Sequence, residues 1–383
     1  MSELPITQIN IPGGFIDLGM GDPSFSLLPL ELIRQAAEVH FSTGDRRFLQ
    51  YGNEQGDGYF RRSLADFLTK SYSFPVDPDV LFVTTGVSSA LDLLCTLYTR
   101  AGDVIFVEEP SYFLALRIFK EHGLRVISIP MEHNGLCLDA LDEKLVEFNP
   151  KFVYIIPTFQ NPSGMKLAQD RRDKLVERAQ RHNFLIVADE VYHFLAYTLT
   201  PPQAFAAFTD NVEQVISVNS FSKILAPGLR LGWIQAHGKV IERLAGSGLL
   251  ESGGGMTPFT SALIHWVIES GGLDENISRL RKEYSIRLNA LNLALRKDLP
   301  MAKYVVPQGG FFFWVQLPGV DASQLRHKAK DFNVGIRQGT LFSSEKGKAN
   351  YMRLGFCFYD SDELREGVKR LRDCLDKNDF GQS

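Results

Sequence analysis

Between about residues 60 and 235 the sequence alternates short, almost wholly apolar runs with amphipathic stretches of helical period, and few architectures accommodate that pattern. The apolar runs are DVLFVTT (79–85), DVIFVEE (103–109), RVISIP (125–130), KFVYIIPT (151–158), NFLIVADE (183–190) and QVISVNS (214–220). Helix candidates such as SALDLLCTLYTR (89–100) and RRDKLVERAQRH (171–182) separate several of them, the second ending in basic residues that suit a helix C-terminus. A strand apolar along both faces is buried on both. The pattern therefore predicts an α/β fold whose mostly parallel sheet is sandwiched by helices.

At 383 residues the chain has room for roughly two domains. After Gly271 and Gly272 the pattern changes to one long charged helix, ISRLRKEYSIRLNALNLALRK, then GGFFFWVQL and NYMRLGFCF, which predicts a smaller α+β unit. The start, with Pro12, Gly13, Gly14, Pro23 and Pro29, is too broken for a domain of its own. The expected division is an N-terminal segment (1–40) packing with the small domain and covering the site, a large domain (41–272) and a small one (273–383).

Composition removes several classes of function. Forty-one basic and 45 acidic side chains give a net charge of -4 without a long run of either sign, so no broad face attracts a nucleic acid. No apolar run reaches the ~18 residues of a spanning helix, and the first residues carry no signal-peptide pattern, so the expected location is the cytoplasm. Cys95, Cys137, Cys357 and Cys374 form no C-x-x-C pair, and the eight histidines form no H-E-x-x-H pair. Neither a disulfide framework nor a metal centre is expected.

In an open α/β sheet, ligands bind beyond the carboxyl ends of the strands, so the polar residues that close each apolar run carry the functional information. The first run ends in Thr85 and Gly86, after which Val87, Ser88 and Ser89 open a helix whose free N–H groups suit a phosphate; a Ser N-cap is the alternative. Gly19 and Gly21 form a Gly-x-Gly with no third glycine, so a dinucleotide fingerprint is absent. The run QVISVN leads into Ser220, Phe221, Ser222 and Lys223, then ILAPG, Leu229 and Arg230. Two hydroxyls and a guanidinium there could grip a phosphate, while desolvation beside Ile224 and Leu225 would favour a neutral, nucleophilic Lys223. A neutral amine beside a phosphate cup suggests a phosphorylated aldehyde. Asp189 closes another apolar run, with Tyr192 three positions on. A protonated ring nitrogen ~4 Å from that carboxylate would gain roughly 4 kcal/mol at an effective dielectric near 20, or about three pK units. Capping the following helix is the alternative role for Asp189.

The segments SFSKILAPGLRLGW (220–233), PTFQNPSG (157–164), DEVYHFLAY (189–197), EEPSYF (108–113) and YGNEQGDGYFRRSLADF (51–67) resemble the signatures of fold-type I pyridoxal-phosphate enzymes. Within that group the sequence is similar to class I/II aminotransferases, particularly the branch of aminoadipate and aromatic aminotransferases, and the motifs run in family order from Tyr51 to Arg353. The resemblance implies pyridoxal 5'-phosphate as cofactor, with Lys223 joined covalently to its aldehyde and Asp189 paired with its ring nitrogen. It implies that Tyr192 and Asn161 contact the ring hydroxyl, that Tyr112 stacks on the ring, and that Ser220, Ser222, Arg230 and the backbone amides of Val87 and Ser88 hold the phosphate. Val87 replaces a residue that is often polar in the family, so only its N–H can serve. Tyr51 matches a tyrosine that reaches the phosphate of a neighbouring subunit, which implies a homodimer. Arg353, in the alternating strand NYMRLGFCF, matches the arginine that grips the substrate carboxylate, assisted by Asn161; a surface arginine on an edge strand is the alternative.

The expected reaction is transamination between an L-amino acid and a 2-oxo acid such as 2-oxoglutarate. A C–S β-lyase or a decarboxylating enzyme would use the same scaffold, and a cofactor-binding regulator without catalysis is a further alternative. The first 33 residues contain no Lys or Arg but do contain Phe15, Phe25 and Leu27, which favours aromatic or aliphatic donors over dicarboxylic ones unless Arg46 or Arg47 points into the site.

Overall fold

The computed structural model describes residues 6–198, 200–378 and 380. The short strand β1 (Ile16–Asp17) stands apart from the main sheet. That sheet contains β2 (Leu81–Thr84), β3 (Val104–Glu109), β4 (Arg125–Glu132), β5 (Gly135–Leu136), β6 (Phe152–Ile155), β7 (Leu185–Asp189), β8 (Val215–Ser220) and β9 (Gly232–Ala236). Their spatial order is β2-β9-β8-β7-β6-β3-β4-β5. The pairs from β4 through β3, β6 and β7 to β8 are parallel, whereas β9 runs antiparallel to both β8 and β2, and β5 is an antiparallel return on β4.

All six expected apolar runs are strands, and the sheet is mostly parallel as anticipated. Every residue of β2, β6 and β8 is buried, as the absence of alternation requires of strands covered by helices on both sides. Each fully buried Val, Ile or Phe side chain there stabilises the fold by about 1.5–3 kcal/mol. The strand β9 was not anticipated. Its run of five residues begins with Gly232, whose Cβ position lies 2.5 Å from the Asn219 carbonyl, so only glycine lets the chain return beside β8.

Beyond the long helix Gly272–Asp298 come β10 (Phe312–Gln316), β11 (Val334–Gly335), β12 (Arg337–Gln338) and β13 (Tyr351–Gly355). β13 lies between β10 and β12 in an antiparallel sheet, and β11 pairs in parallel with β1. Arg353 therefore sits on a central strand and is only 4% exposed, which removes the edge-strand surface alternative. The closing helix Ser361–Lys377 starts with a capping box between Asp360 and Glu363 and packs on Gly272–Asp298.

The helix Leu30–Ser42 runs across residue 40 and packs on the helix Pro258–Glu269. The segment ahead of it is tied down by main-chain bonds, Gly355 N–H donating to the Leu18 carbonyl at 2.6 Å and Ser24 N–H to that of Cys357 at 3.3 Å.

Candidate active site

Two successive antiparallel pairings leave β2 pointing the same way as β8, so the carboxyl ends of β2, β6, β7 and β8 open on one side of the sheet. At the end of β2, Gly86 has φ +97 and turns the chain into the helix Val87–Tyr98. No side chain caps that helix, so the first N–H groups, from Val87 and Ser88 onward, remain available to a ligand. The Ser N-cap alternative is thereby removed: Ser89 Oγ bonds instead to the Gly86 carbonyl at 2.9 Å.

Arg230 comes to this helix end from the turn after β8. It adopts a left-handed conformation, φ 47, and its Nη2 donates to the Thr85 carbonyl at 2.8 Å. The turn between them is ordered by hydroxyls: Ser220 Oγ lies 2.9 Å from Ser222 Oγ and accepts the Ser222 N–H at 3.1 Å. Uncapped amides, two serine hydroxyls and a guanidinium make a donor set that fits a phosphate dianion. The cofactor expected from the sequence therefore suits the residues present.

Lys223 Nζ donates to the Gly21 carbonyl at 3.0 Å and lies 5.6 Å from the ring centre of Phe311. Burial lowers its pKa below the ordinary lysine value, partly offset by Asp22, Cys357 and Asp189. Asp189, the last residue of β7, is buried. Burial pushes its carboxyl up to about 6, against the opposing pull of a Tyr154 hydroxyl bond and of Lys223. That bond, Tyr154 Oη to Asp189 Oδ2, is 2.8 Å long. No helix follows Asp189 directly; its only other side-chain hydrogen bond among the described residues is a long one from Val191 N–H at 3.5 Å, so it does not serve as a helix cap.

Arg353 Nη1 donates to Asn161 Oδ1 at 3.0 Å and Nη2 to the Gly19 carbonyl at 2.8 Å, while its buried Nε has no partner. The guanidinium carbon lies 3.9 Å from the ring centre of Phe312. Tyr192 is buried with its ring edge-on to Phe311 and Phe312, at 5.4 and 6.0 Å. Burial pushes the Tyr112 phenol up to about 12, and Arg353, Asp189 and Asp22 all lie near enough to act on it.

Lys223, Asp189, Tyr192, Tyr112, Asn161 and Arg353 are thus linked to one another by a hydrogen bond or by electrostatic influence, while Ser220 and Ser222 meet in the turn after β8 and Arg230 reaches the chain just ahead of Val87 and Ser88. Tyr51 is not drawn in by its own chain and is 81% exposed. Arg46 and Arg47 are exposed, and Arg47 is paired with Asp45 at 2.7 Å. Sequence reading missed Tyr154, which sits inside an apolar run and reads as core. It also had no use for Gly19 and Gly21: a Cβ at Gly19 would lie 2.7 Å from Arg337 Cγ, and one at Gly21 3.1 Å from the Phe312 ring. The short spacing serves close approach of the backbone to two side chains.

Residues 14–371 match the family model for aminotransferase class I and II, and the chain belongs to that family. It is 35% identical over 368 residues to an aromatic-amino-acid aminotransferase of Thermococcus litoralis, an alignment covering 94% of this chain and 88% of the relative. Among solved structures it is similar to a multiple substrate aminotransferase from Thermococcus profundus, with a TM-score of 0.89, 34% identity and coverage of 95% and 92% of the two chains. It is also similar to an α-aminoadipate aminotransferase of Thermus thermophilus complexed with N-(5'-phosphopyridoxyl)-L-leucine, with a TM-score of 0.86, 30% identity and coverage of 95% and 92%. The protein is an aminotransferase of the pyridoxal-phosphate-dependent, fold-type I kind that its motifs implied.

Proposed function

We propose that this site moves an amino group from an L-amino acid to a 2-oxo acid such as 2-oxoglutarate, with Lys223 as its central amine. The observation that carries the assignment is the half-buried Lys223, whose Nζ donates to the Gly21 carbonyl and feels the buried Asp189 carboxylate. When bound, pyridoxal phosphate supplies an electrophilic carbonyl and a ring that withdraws electrons from the substrate Cα. Lys223 Nζ would be its attachment point and the base that takes and returns the Cα proton; desolvation favours the neutral amine that this work needs. Asp189 would hold a proton on the ring nitrogen. Tyr192 and Asn161 would bind the ring hydroxyl and Tyr112 would cover the ring. Arg230, Ser220, Ser222 and the Val87 and Ser88 amides would hold the phosphate. Arg353, kept in place by Asn161, binds the donor carboxylate as a planar fork.

Aromatic or aliphatic donors suit the N-terminal segment. Phe25 packs edge-on to Phe358 at 5.8 Å, Arg337 is paired with Asp17 at 3.0 Å, and Arg279 donates to the Leu27 carbonyl at 2.6 Å. The active unit of this proposal is a homodimer in which Tyr51 completes the neighbouring site. Exposed Phe41, Leu49, Tyr51, Leu249 and Phe259 supply apolar surface for such a contact. The four cysteines are free thiols, which suits a reducing cytoplasm.

A panel of amino donors with 2-oxoglutarate, read as glutamate formed, tests the reaction and ranks the donors. Lys223→Ala abolishes turnover in that panel; near-normal transamination by the variant rejects the assignment.

A further inference from the structure

The hydrogen bond between Tyr154 and Asp189 has no role in the scheme above, and its geometry leaves little freedom. Tyr154 lies within β6, in register with Val187 of β7 on one side and Val107 of β3 on the other. Its ring is fully buried and packs edge-on to Phe119 at 5.3 Å, so the hydroxyl is delivered to one place, 2.8 Å from Asp189 Oδ2. The remaining oxygen of Asp189 receives only the long 3.5 Å contact from the Val191 N–H. One carboxylate oxygen is thus tied firmly while the other is left for a second partner.

We infer that Tyr154 is a positioning residue whose hydroxyl fixes the Asp189 carboxylate and keeps the proton shared between Asp189 and the cofactor ring on the ring nitrogen. The inference rests on the reading that Asp189 faces that nitrogen. Burial holds the Tyr154 phenol far above its usual range, so it always donates and never competes for the proton. A hydrogen bond to an anion makes that anion a weaker base. Without it Asp189 would draw the proton from the ring, which would then withdraw electrons less strongly. Glu108 on β3, Glu190 next in the chain, Tyr112 and Lys223 act on this pair through space; among the described residues, Tyr154 is the one side chain that hydrogen-bonds the carboxylate. Loss of one hydrogen bond to a charged group moves this sharing equilibrium about 10- to 100-fold toward a protonated Asp189.

The test uses holoenzyme loaded with pyridoxal phosphate carrying nitrogen-15 in the ring, and follows the nitrogen resonance as pH is raised. In the parent protein the ring is protonated at neutral pH, on the flat part of the titration. Tyr154→Phe moves that plateau resonance toward the unprotonated-ring position, because the anion on Asp189 has lost its donor and takes up the shared proton, whereas Tyr154→3-fluorotyrosine, a stronger donor, keeps the parent position. Phe119→Leu loosens the packing around Tyr154 without touching Asp189, so it lowers the melting temperature and leaves the plateau in place. An unchanged plateau in Tyr154→Phe, or an equal displacement in Phe119→Leu, overturns the inference while the Asp189 assignment stands. A parent ring that is unprotonated at neutral pH overturns the Asp189 assignment itself, and the inference with it.

Discussion

Arg337 and Arg353 stand directly opposite each other on β12 and β13, and Asp17 neutralises only the first, its Oδ2 lying 3.0 Å from Arg337 Nη1. Arg353 has no carboxylate partner among the described residues. Burial, with a smaller push from Arg337, brings its pKa down to about 10, which still leaves it cationic at neutral pH. A lone buried cation whose Nε is unpaired is costly to the fold unless something else takes its charge, and the carboxylate of an amino acid does so.

Arg353→Lys keeps the charge but loses the fork. One charge-assisted hydrogen bond is worth about 1.5–3 kcal/mol, so kcat/KM falls about 10- to 100-fold. The loss should be similar for donors with different side chains, because the carboxylate is common to all. Steady-state kinetics on three unlike donors checks this, and a loss confined to one of them would contradict it.

Gly86 faces the Arg230 guanidinium, with a Cβ position 3.0 Å from Nη2, and its φ of +97 disfavours any other residue. Gly86→Ala should therefore disturb the phosphate end and leave the ring contacts alone. Titration of the variant with pyridoxal phosphate should show weaker binding, about tenfold or more for ~1.4 kcal/mol of lost interaction. Affinity for pyridoxal, which lacks the phosphate, should change little.

Glu108 is buried and accepts the Ile156 N–H at 2.9 Å and the Gln160 amide at 3.2 Å, both on Oε2. Burial, reinforced by Asp189, raises its pKa to about 8 from 4.5, although the two hydrogen bonds pull it down. Between those values the folded state binds more protons than the unfolded one, so this carboxyl's contribution to stability is full below the lower value and is lost as pH rises through the upper. Glu108→Gln removes that loss. Melting temperatures of the two proteins between pH 5 and 9 should diverge in favour of the variant as pH rises, whereas parallel curves would show that Glu108 ionises normally.

Tyr51 offers a test of the dimer that needs no structure. Lys223→Ala and Tyr51→Ala subunits, each impaired alone, should regain activity when unfolded together and refolded as a mixture. The hybrid contains one site with an intact lysine and an intact tyrosine from opposite chains. No gain on mixing would place Tyr51 in the service of its own subunit or of none.

The strand ends were legible because buried strands announce themselves by apolar runs, and the polar residue that closes each run, Thr85, Asp189 or Ser220, has few reasons to be there. Alternation in NYMRLGFCF only set Arg353 on the face opposite Met352 and Leu354; the family motif singled it out, and its burial shows in the structure alone. Tyr154 was hidden for the same reason that the strands were visible: inside FVYI a tyrosine reads as core packing, and only the register of β6 against β7 reveals what its hydroxyl touches. Gly232–Ala236 escaped because a short antiparallel return carries no period of its own. The partners of Gly19 and Gly21 lie more than 200 residues away, a separation over which no local pattern extends.

Those two glycines present carbonyl oxygens to Arg353 and Lys223, and neither has room for a Cβ. The grip on both cations is therefore built from main chain, which no change of a neighbouring side chain such as the exposed Phe25 removes.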